Sequence, residues 1–157
     1  MSKRELGPYP TLRYAHMVSK DVHSSHVVRQ FALYPIDIER PEKGRRVEAL
    51  ECGSCQKPLK FKVLSVAATR SRRWVWLVLG LAGVAAALGF GVAIFEVGGQ
   101  VVEEGAPNPV GPLVLGFLAG FLFGIFGLSY WWYEDGVRGP GSPLLSLGVH
   151  ALRWPRS

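Results

Sequence analysis

The two cysteines of the chain form the sequence C-G-S-C at Cys52 to Cys55 and are its clearest candidates for chemistry. Two thiolates three positions apart on a tight turn can bind one cation, and a glycine between them frees the backbone for such a turn. Zinc is the cation that thiolates at this spacing commonly hold. The pair therefore predicts a structural zinc site.

The residues around the cysteines predict how the pair is positioned. R-R-V-E-A-L-E before the cysteines alternates around Val47 and Ala49, and after them Phe61 and Val63 alternate with lysines. The pattern predicts a β-hairpin with the cysteines in its turn. Over about residues 45–65 it resembles half of a zinc ribbon.

Structural zinc takes four protein ligands, so the cysteines need a second pair. His23 and His26 repeat the spacing in D-V-H-S-S-H and predict a Cys2His2 site with Cys52 and Cys55 in one chain. His16 is a third contender. The alternatives are a half-site that has lost its partner ligands, a site shared across a dimer, and surface histidines without a metal.

Thiol–disulfide exchange is the rival interpretation of the cysteine pair, since C-x-x-C is also its standard spacing. Redox pairs normally open a helix after a strand, where the helix N-terminus lowers the pKa of the attacking thiol, whereas the flanks here predict paired strands. No other catalytic motif is apparent, neither a Ser-His-Asp arrangement nor a phosphate-binding glycine loop. We therefore expect a protein that is not an enzyme.

Two uncharged stretches, Trp74–Phe95 and Val110–Tyr133, are long enough to cross a bilayer. The first has 22 residues, which at 1.5 Å each make a helix of about 33 Å against about 30 Å of hydrocarbon. The sequence therefore predicts a membrane protein with a two-span α-helical hairpin. The residues between the spans, 96–109, are expected to form an extracytoplasmic loop.

Basic residues near the helix ends predict the orientation, because Lys and Arg collect on the cytoplasmic side. They precede the first span and follow the second, and there is none between Trp74 and Val137. We expect residues 1–73 to form a small cytoplasmic β-rich domain and residues 134–157 a short cytoplasmic tail. The arginine-rich, Ala/Gly/Val-rich composition suggests a bacterial plasma membrane. The residues predicted to contact lipid headgroups are Arg70, Arg72 and Arg73.

Small residues form one stripe on each predicted span when positions advance by 100° per residue. Such stripes let helix backbones approach closely in lipid. We expect them to pack the two helices of one chain together, and a glycine-zipper homo-oligomer is the alternative. The residues assigned to helix packing are Gly80, Gly83, Ala87 and Gly91 in the first span and Gly116, Gly120, Gly124 and Gly127 in the second.

The remaining segments carry weaker patterns. Pro35 and Pro41 allow one short strand at most between them, and a domain of about 50 ordered residues is too small to fold on burial alone, which favours a metal. In the tail, Ser142 as a cap before Pro143 predicts a short interfacial helix. No partner for His150 follows from the sequence.

Together these patterns predict an accessory or anchoring protein that presents a zinc-stabilised module to a protein partner at the cytoplasmic membrane face. The spans carry no ionisable group away from their ends, which disfavours transport, so a pore made by a glycine-zipper oligomer is the alternative. A membrane-bound thiol oxidoreductase is a second alternative. Nucleic-acid binding is not expected, because juxtamembrane charge explains the net charge of +6.

Overall fold

The computed structural model describes residues 5–99, 110–141 and 148–154. The chain divides into two compact units, a sheet unit of Met1–Arg70 with Asp135–Ser157 and a helix unit of Ser71–Glu134. The elements in chain order are β1 (Arg13–Val22), β2 (Val27–Tyr34), β3 (Arg45–Glu51), β4 (Pro58–Leu64), α1 (Val66–Gly98), α2 (Val110–Tyr133), β5 (Val137–Arg138) and β6 (His150–Arg153).

Each of the two sheets combines strands from before the helices with one strand from after them. The first sheet has the order β2-β1-β6 and the second the order β3-β4-β5, and all neighbouring strands are antiparallel. The predicted hairpin around the cysteines is confirmed, since β3 and β4 pair from Arg45↔Leu64 to Glu51↔Pro58. The residues after α2, which the sequence suggested would be a tail, thus complete both sheets.

One hydrophobic core lies within the sheet unit. Alternation places Leu59, Phe61 and Val63 of β4 on one face, where they are buried against residues of the other sheet. Ile36 and Ile38, which lie between Pro35 and Pro41, are also buried although they form no strand. The other buried members are Leu12, Tyr14, Cys52, Val137 and Leu152.

A buried ion pair within the sheet unit joins Asp135, which follows α2, to Arg40, which precedes β3. The Arg40 guanidinium donates to Asp135 Oδ1 at 2.8 Å, and both side chains are almost fully buried. Asp135 Oδ2 accepts the backbone N–H groups of Thr11 and Leu12 at 2.7 and 2.9 Å. Arg40 also donates to the carbonyl of Leu64, so both charges are hydrogen-bonded within the core.

The helices α1 and α2 are both long and apolar enough to cross a membrane. The bounds of α2 are those predicted, whereas α1 extends to 33 residues and begins eight residues before Trp74. Ser65 caps this start, because its hydroxyl accepts the N–H of Ala68 at 3.2 Å. The first turns of α1 contain three arginines that precede the predicted span, Arg70, Arg72 and Arg73.

The glycine stripes face each other inside the helix unit. A Cβ added at Gly83 would lie 2.5 Å from the backbone nitrogen of Gly124, and one added at Gly120 would lie 2.8 Å from that of Ala87. The backbones of Gly80 and Gly127 meet in the same way, while Gly91 and Gly116 each lie against a phenylalanine ring of the other helix. Gly89, on the opposite face of α1, has open space around it.

Some predictions cannot be compared with the structure. Most of the predicted loop 96–109 and the predicted helix after Ser142 fall on residues 100–109 and 142–147, outside the described residues. Among the described residues that follow, His150–Arg153 form strand β6 rather than a helix.

Candidate metal centre

Four side chains from three parts of the chain converge at one point of the sheet unit. His16 of β1 and His150 of β6 are partners in the antiparallel register, so they stand side by side on neighbouring strands. Cys52 and Cys55 come from the β3–β4 turn. One ligand atom from each residue can be chosen so that all four lie within 4.8 Å of one another, and this group could hold a metal ion.

Three of the six separations between the four ligand atoms match those around a tetrahedral ion. His16 Nδ1 and His150 Nε2 are 3.1 Å apart, Cys52 Sγ is 3.6 Å from His16 Nδ1, and Cys55 Sγ is 3.4 Å from His150 Nε2. A zinc ion at about 2.3 Å from sulfur and about 2.0 Å from nitrogen would place N···N at about 3.3 Å and S···N at about 3.5 Å. Each contact alone is within hydrogen-bonding distance, but the convergence of all four donors is typical of a metal site.

The turn that carries the cysteines is closed by backbone hydrogen bonds. The N–H of Cys52 donates to the carbonyl of Lys57 at 3.0 Å, and the N–H of Gln56 donates to the carbonyl of Cys52 at 2.8 Å. Gln56 adopts a left-handed backbone conformation with φ of 57°. This conformation directly follows Cys55, in the turn that leads the chain into β4.

Two tyrosines of the first sheet support the turn. A Cβ at Gly53 would come within 2.7 Å of the Tyr34 ring, so glycine allows the turn to lie flat on that ring. The Tyr34 hydroxyl and Ser54 Oγ share a hydrogen bond of 2.7 Å. Tyr14 stacks on Tyr34 with ring centroids 5.2 Å apart, and burial raises the pKa of the Tyr14 hydroxyl. The tyrosines thereby fix the turn against β1, which carries His16.

The electrostatics favour the protonation states that a metal requires. Burial raises the pKa of the Cys52 thiol, but the backbone N–H groups of Cys55 and Ser54 point at the sulfur and bring the pKa below its usual value. Burial lowers the pKa of His150, and the neighbouring His16 and Lys57 lower it further. A thiolate and a neutral imidazole are thus both stabilised.

The other predicted ligands lie elsewhere. His23 and His26 occupy the turn between β1 and β2, where both are exposed and their rings stack with centroids 4.7 Å apart. His16 is seven residues before His23, about 20 Å along an extended strand. The group that could hold a metal therefore combines Cys52 and Cys55 with His16, the third contender, and with His150.

Arg70, Arg72 and Arg73, predicted to contact lipid headgroups, follow one another in the first turns of α1. Arg70 and Arg72 are exposed. Arg73 is half-buried, and its guanidinium donates to the carbonyl of Glu134 at 2.8 Å within the helix unit. Trp76 stacks on Tyr130 nearby, with ring centroids 4.8 Å apart.

His150 is the potential ligand that the sequence did not indicate. It follows Cys55 by 95 positions and His16 by 134, and both helices lie between them. Only the pairing of β6 with β1 brings it to the site. The segment H-A-L-R is too short to predict a strand from its pattern, and in the structure Ala151 and Leu152 are buried while His150 is half-buried.

No known protein family, curated protein or solved structure matches the chain. The metal-ligand group and the two apolar helices are therefore the features from which a function can be inferred.

Proposed function

We propose that this chain is an integral plasma-membrane protein in which a structural zinc ion stabilises a cytoplasmic two-sheet module that binds a protein partner. The observation that carries the proposal is the convergence of His16, Cys52, Cys55 and His150. These ligands come from both sheets and from both sides of the helical segment. One ion would therefore tie together the parts of the sheet unit that are most distant in sequence.

A structural role for the ion follows from the number and type of the ligands. Four protein ligands complete a tetrahedron and leave no position for a water or substrate, as in structural zinc sites. Cys52 is 1% exposed, which limits access of a substrate to the metal. The small core of the module also needs an additional source of stability.

Membrane insertion is supported by the two apolar helices, and a shared side for both chain ends is supported by the strand pairing. β5 and β6 follow α2, yet they pair with β4 and β1, which precede α1. If the helices cross the bilayer as a hairpin, both flanking segments must lie on one side to form these sheets. The distribution of basic residues favours the cytoplasmic side.

The two alternative functions receive less support. A thiol oxidoreductase is favoured by the lowered pKa of Cys52, but the cysteines lie on a turn between paired strands and not at a helix N-terminus. A pore built on glycine stripes would need those stripes between chains, and here they contact each other within one hairpin. The accessory function thus accounts for more of the molecule.

Metal analysis of variants tests the zinc centre. Full-length protein purified in mild detergent should contain about one zinc per chain, and His150→Ala and Cys52→Ser should each lose most of it. The double variant His23→Ala/His26→Ala is the matched control, because it also removes two histidines of β1–β2 and should keep the metal. Folded wild-type protein without metal, or zinc lost only in the control, would reject the proposal.

Membrane insertion is tested independently of the metal. Cell membranes containing the full chain are washed with alkaline carbonate, which removes peripheral proteins and leaves integral ones in the pellet. We expect the chain in the pellet, for the wild type and for His150→Ala alike, because the helices do not depend on the ion. Release of the wild type into the supernatant would contradict the membrane location and leave the zinc result unaffected.

A further inference from the structure

Strand β3 lies at the edge of its sheet. In the order β3-β4-β5, the only strand that pairs with it among the described residues is β4. Its alternate residues Arg45, Val47, Ala49 and Glu51 are all exposed, Val47 by 60%. An edge of this kind offers main-chain donors and acceptors to another strand.

Two hydrogen bonds at the ends of the hairpin show which residues of β3 direct their backbone groups outward. The carbonyl of Gly44 accepts the N–H of Ser65, and the N–H of Cys52 donates to the carbonyl of Lys57. The register between these ends is continuous, so the even-numbered positions bond to β4 and the odd-numbered positions point their N–H and C=O groups away from it. Val47 therefore directs both of its backbone groups outward.

β3 lacks several features that commonly block such an edge. Its seven residues, R-R-V-E-A-L-E, contain neither proline nor lysine, and its pairing with β4 has no register shift. Natural proteins often use proline, lysine or a bulge to prevent the addition of another strand. The charges of β3 are of both signs instead, so their effect on pairing depends on the register.

One antiparallel register of β3 with a second copy of itself brings opposite charges together. When Val47 lies opposite Val47 of the second copy, Arg46 lies opposite Glu48 of the second copy, and the reverse pair follows by two-fold symmetry. The ion pair Arg46–Glu48 within each chain then becomes part of a group of four charges that alternate in sign. Arg45 lies opposite Ala49 of the second copy, which carries no charge.

The neighbouring registers are unfavourable. Moving the two-fold axis to Arg46 places the two copies of this arginine opposite each other, and moving it to Glu48 does the same with two carboxylates. Like charges directly opposite each other destabilise a sheet. In the favoured register, Glu51 falls opposite Lys43, which precedes β3 in the second copy. The charges of β3 therefore select one register.

We propose that β3 pairs with β3 of a second copy of this chain, antiparallel and with Val47 at the two-fold axis. The two three-stranded sheets then form one continuous sheet. About six main-chain hydrogen bonds link the copies, and the exposed Val47 side chain is covered by its counterpart. The contact goes beyond the proposed function, because it depends on the edge of β3 and not on the membrane location.

A proline at Val47 tests the edge. Full-length, zinc-loaded protein is studied by sedimentation equilibrium in density-matched detergent, which reports the mass of the protein alone. We expect the wild type to be a dimer that dissociates on dilution. Val47→Pro removes an outward N–H and should be monomeric, while its sheet stays intact because proline is tolerated where the N–H faces away from the sheet.

Val27→Pro is the matched control for this variant. Val27 lies on β2, the edge strand of the other sheet. The carbonyl of His26 accepts the N–H of His23, so alternation directs the N–H of Val27 outward. The control makes the same substitution at an equivalent position of a different edge, and it should remain a dimer.

A charge exchange tests the register. Arg46→Glu places glutamate opposite Glu48 of the second copy, and Glu48→Arg places arginine opposite Arg46. Each variant alone should dimerise about tenfold more weakly, or less well still. In an equimolar mixture the acidic edge of one variant meets the basic edge of the other, and the dimer mass should return. This exchange decides the matter even if Val47→Pro fails to fold and loses its zinc.

The zinc content of the same samples separates this inference from the proposed function. Zinc-loaded wild type that is monomeric at every concentration rejects the pairing and leaves the zinc centre standing. A dimer that persists in Val47→Pro and in both charge variants places the contact elsewhere and also rejects the pairing. Charge variants that stay monomeric when mixed reject the register. A dimer regained only in the mixture supports the pairing, whatever metal the protein contains.

Discussion

The sheet unit buries charged groups in its interior, whereas the contact between the two helices buries chiefly glycines. Arg40 and Asp135 lie in the interior of the sheet unit, and the four potential metal ligands lie beside its core. In the helix unit the buried positions of α2 are Gly120, Gly124 and Gly127, while its large side chains point outward. The sheet unit therefore depends on specific polar partners, and the helix unit depends on the absence of side chains at its contact.

If the helices lie in a bilayer as proposed, this difference reflects two solvents. In water a small domain gains from each metal bond and each satisfied charge, because its apolar core alone is insufficient. In lipid, apolar side chains gain little from leaving their surroundings, so helices associate where their backbones can come close. The two units should consequently respond to different perturbations.

Metal removal should give the largest effect and should affect only one unit. Structural zinc contributes on the order of 10 kcal/mol in small domains, so chelation should unfold the sheet unit. Hydrogen exchange of the full chain in detergent should show rapid exchange in β1 to β6 and continued protection in α1 and α2. Added zinc should restore protection, and added magnesium should not. Persistent protection of the strands without metal would contradict the zinc centre.

Asp135→Ala should give the next largest effect, also within the sheet unit. The change leaves the buried Arg40 guanidinium without its carboxylate and leaves the N–H groups of Thr11 and Leu12 without an acceptor. Breaking a buried pair in this way costs about 3–5 kcal/mol of unfolding free energy. The exposed pair Arg46–Glu48 provides the control, and Glu48→Ala should cost less than about 1 kcal/mol.

Hydrogen-exchange free energies of the strand amides measure both changes in the zinc-loaded protein. Equal losses for Asp135→Ala and Glu48→Ala would mean that the buried pair adds nothing beyond an exposed one.

Local patterns in the sequence were sufficient for the elements that are defined locally. The bounds of α2 follow from one uncharged run, and the β3–β4 hairpin follows from alternation on both sides of the cysteines. The start of α1 does not follow from the uncharged run, because Arg70 to Arg73 lie inside the helix but outside that run. Helix formation requires only capping and propensity, which Ser65 and the residues after it provide.

The candidate metal centre could be predicted only in its local half. Cys52 and Cys55 are three residues apart, so their shared turn determines their proximity. His16 and His150 depend on the pairing of β1 with β6, and no property of either residue indicates a partner so distant in sequence. The matching spacing of His23 and His26 favours a ligand pair on a local turn, whereas the candidate ligands His16 and His150 lie on strands.

Gly83→Ala should perturb the helix unit and leave the sheet unit intact. The added methyl group would lie 2.5 Å from the backbone nitrogen of Gly124, so the helices must separate. Overpacking of this kind costs about 1–3 kcal/mol. Gly89→Ala adds the same methyl group to the same helix in open space and should be close to neutral. Thermal unfolding of the helices in detergent measures both, and equal midpoints would reject close packing at Gly83.

Two opposite changes of backbone strain should have the smallest effects, and both concern the sheet unit. Gln56 and Gly44 have φ values of 57° and 72°, in the left-handed region that glycine adopts without strain. Gln56→Gly should relieve about 1–2 kcal/mol of strain, of which the greater freedom of the unfolded chain offsets roughly half. Gly44→Ala should destabilise by about 1 kcal/mol through the backbone alone, because its Cβ would meet no atom within 4 Å.

The two variants can be compared by hydrogen exchange of the strand amides in the zinc-loaded protein. We expect a small gain for Gln56→Gly and a small loss for Gly44→Ala, with the protection of α1 and α2 unchanged in both. A loss of stability in Gln56→Gly would show that the glutamine side chain itself supports the cysteine turn. In that case zinc affinity should fall together with stability, whereas relief of strain alone leaves the four ligands in place.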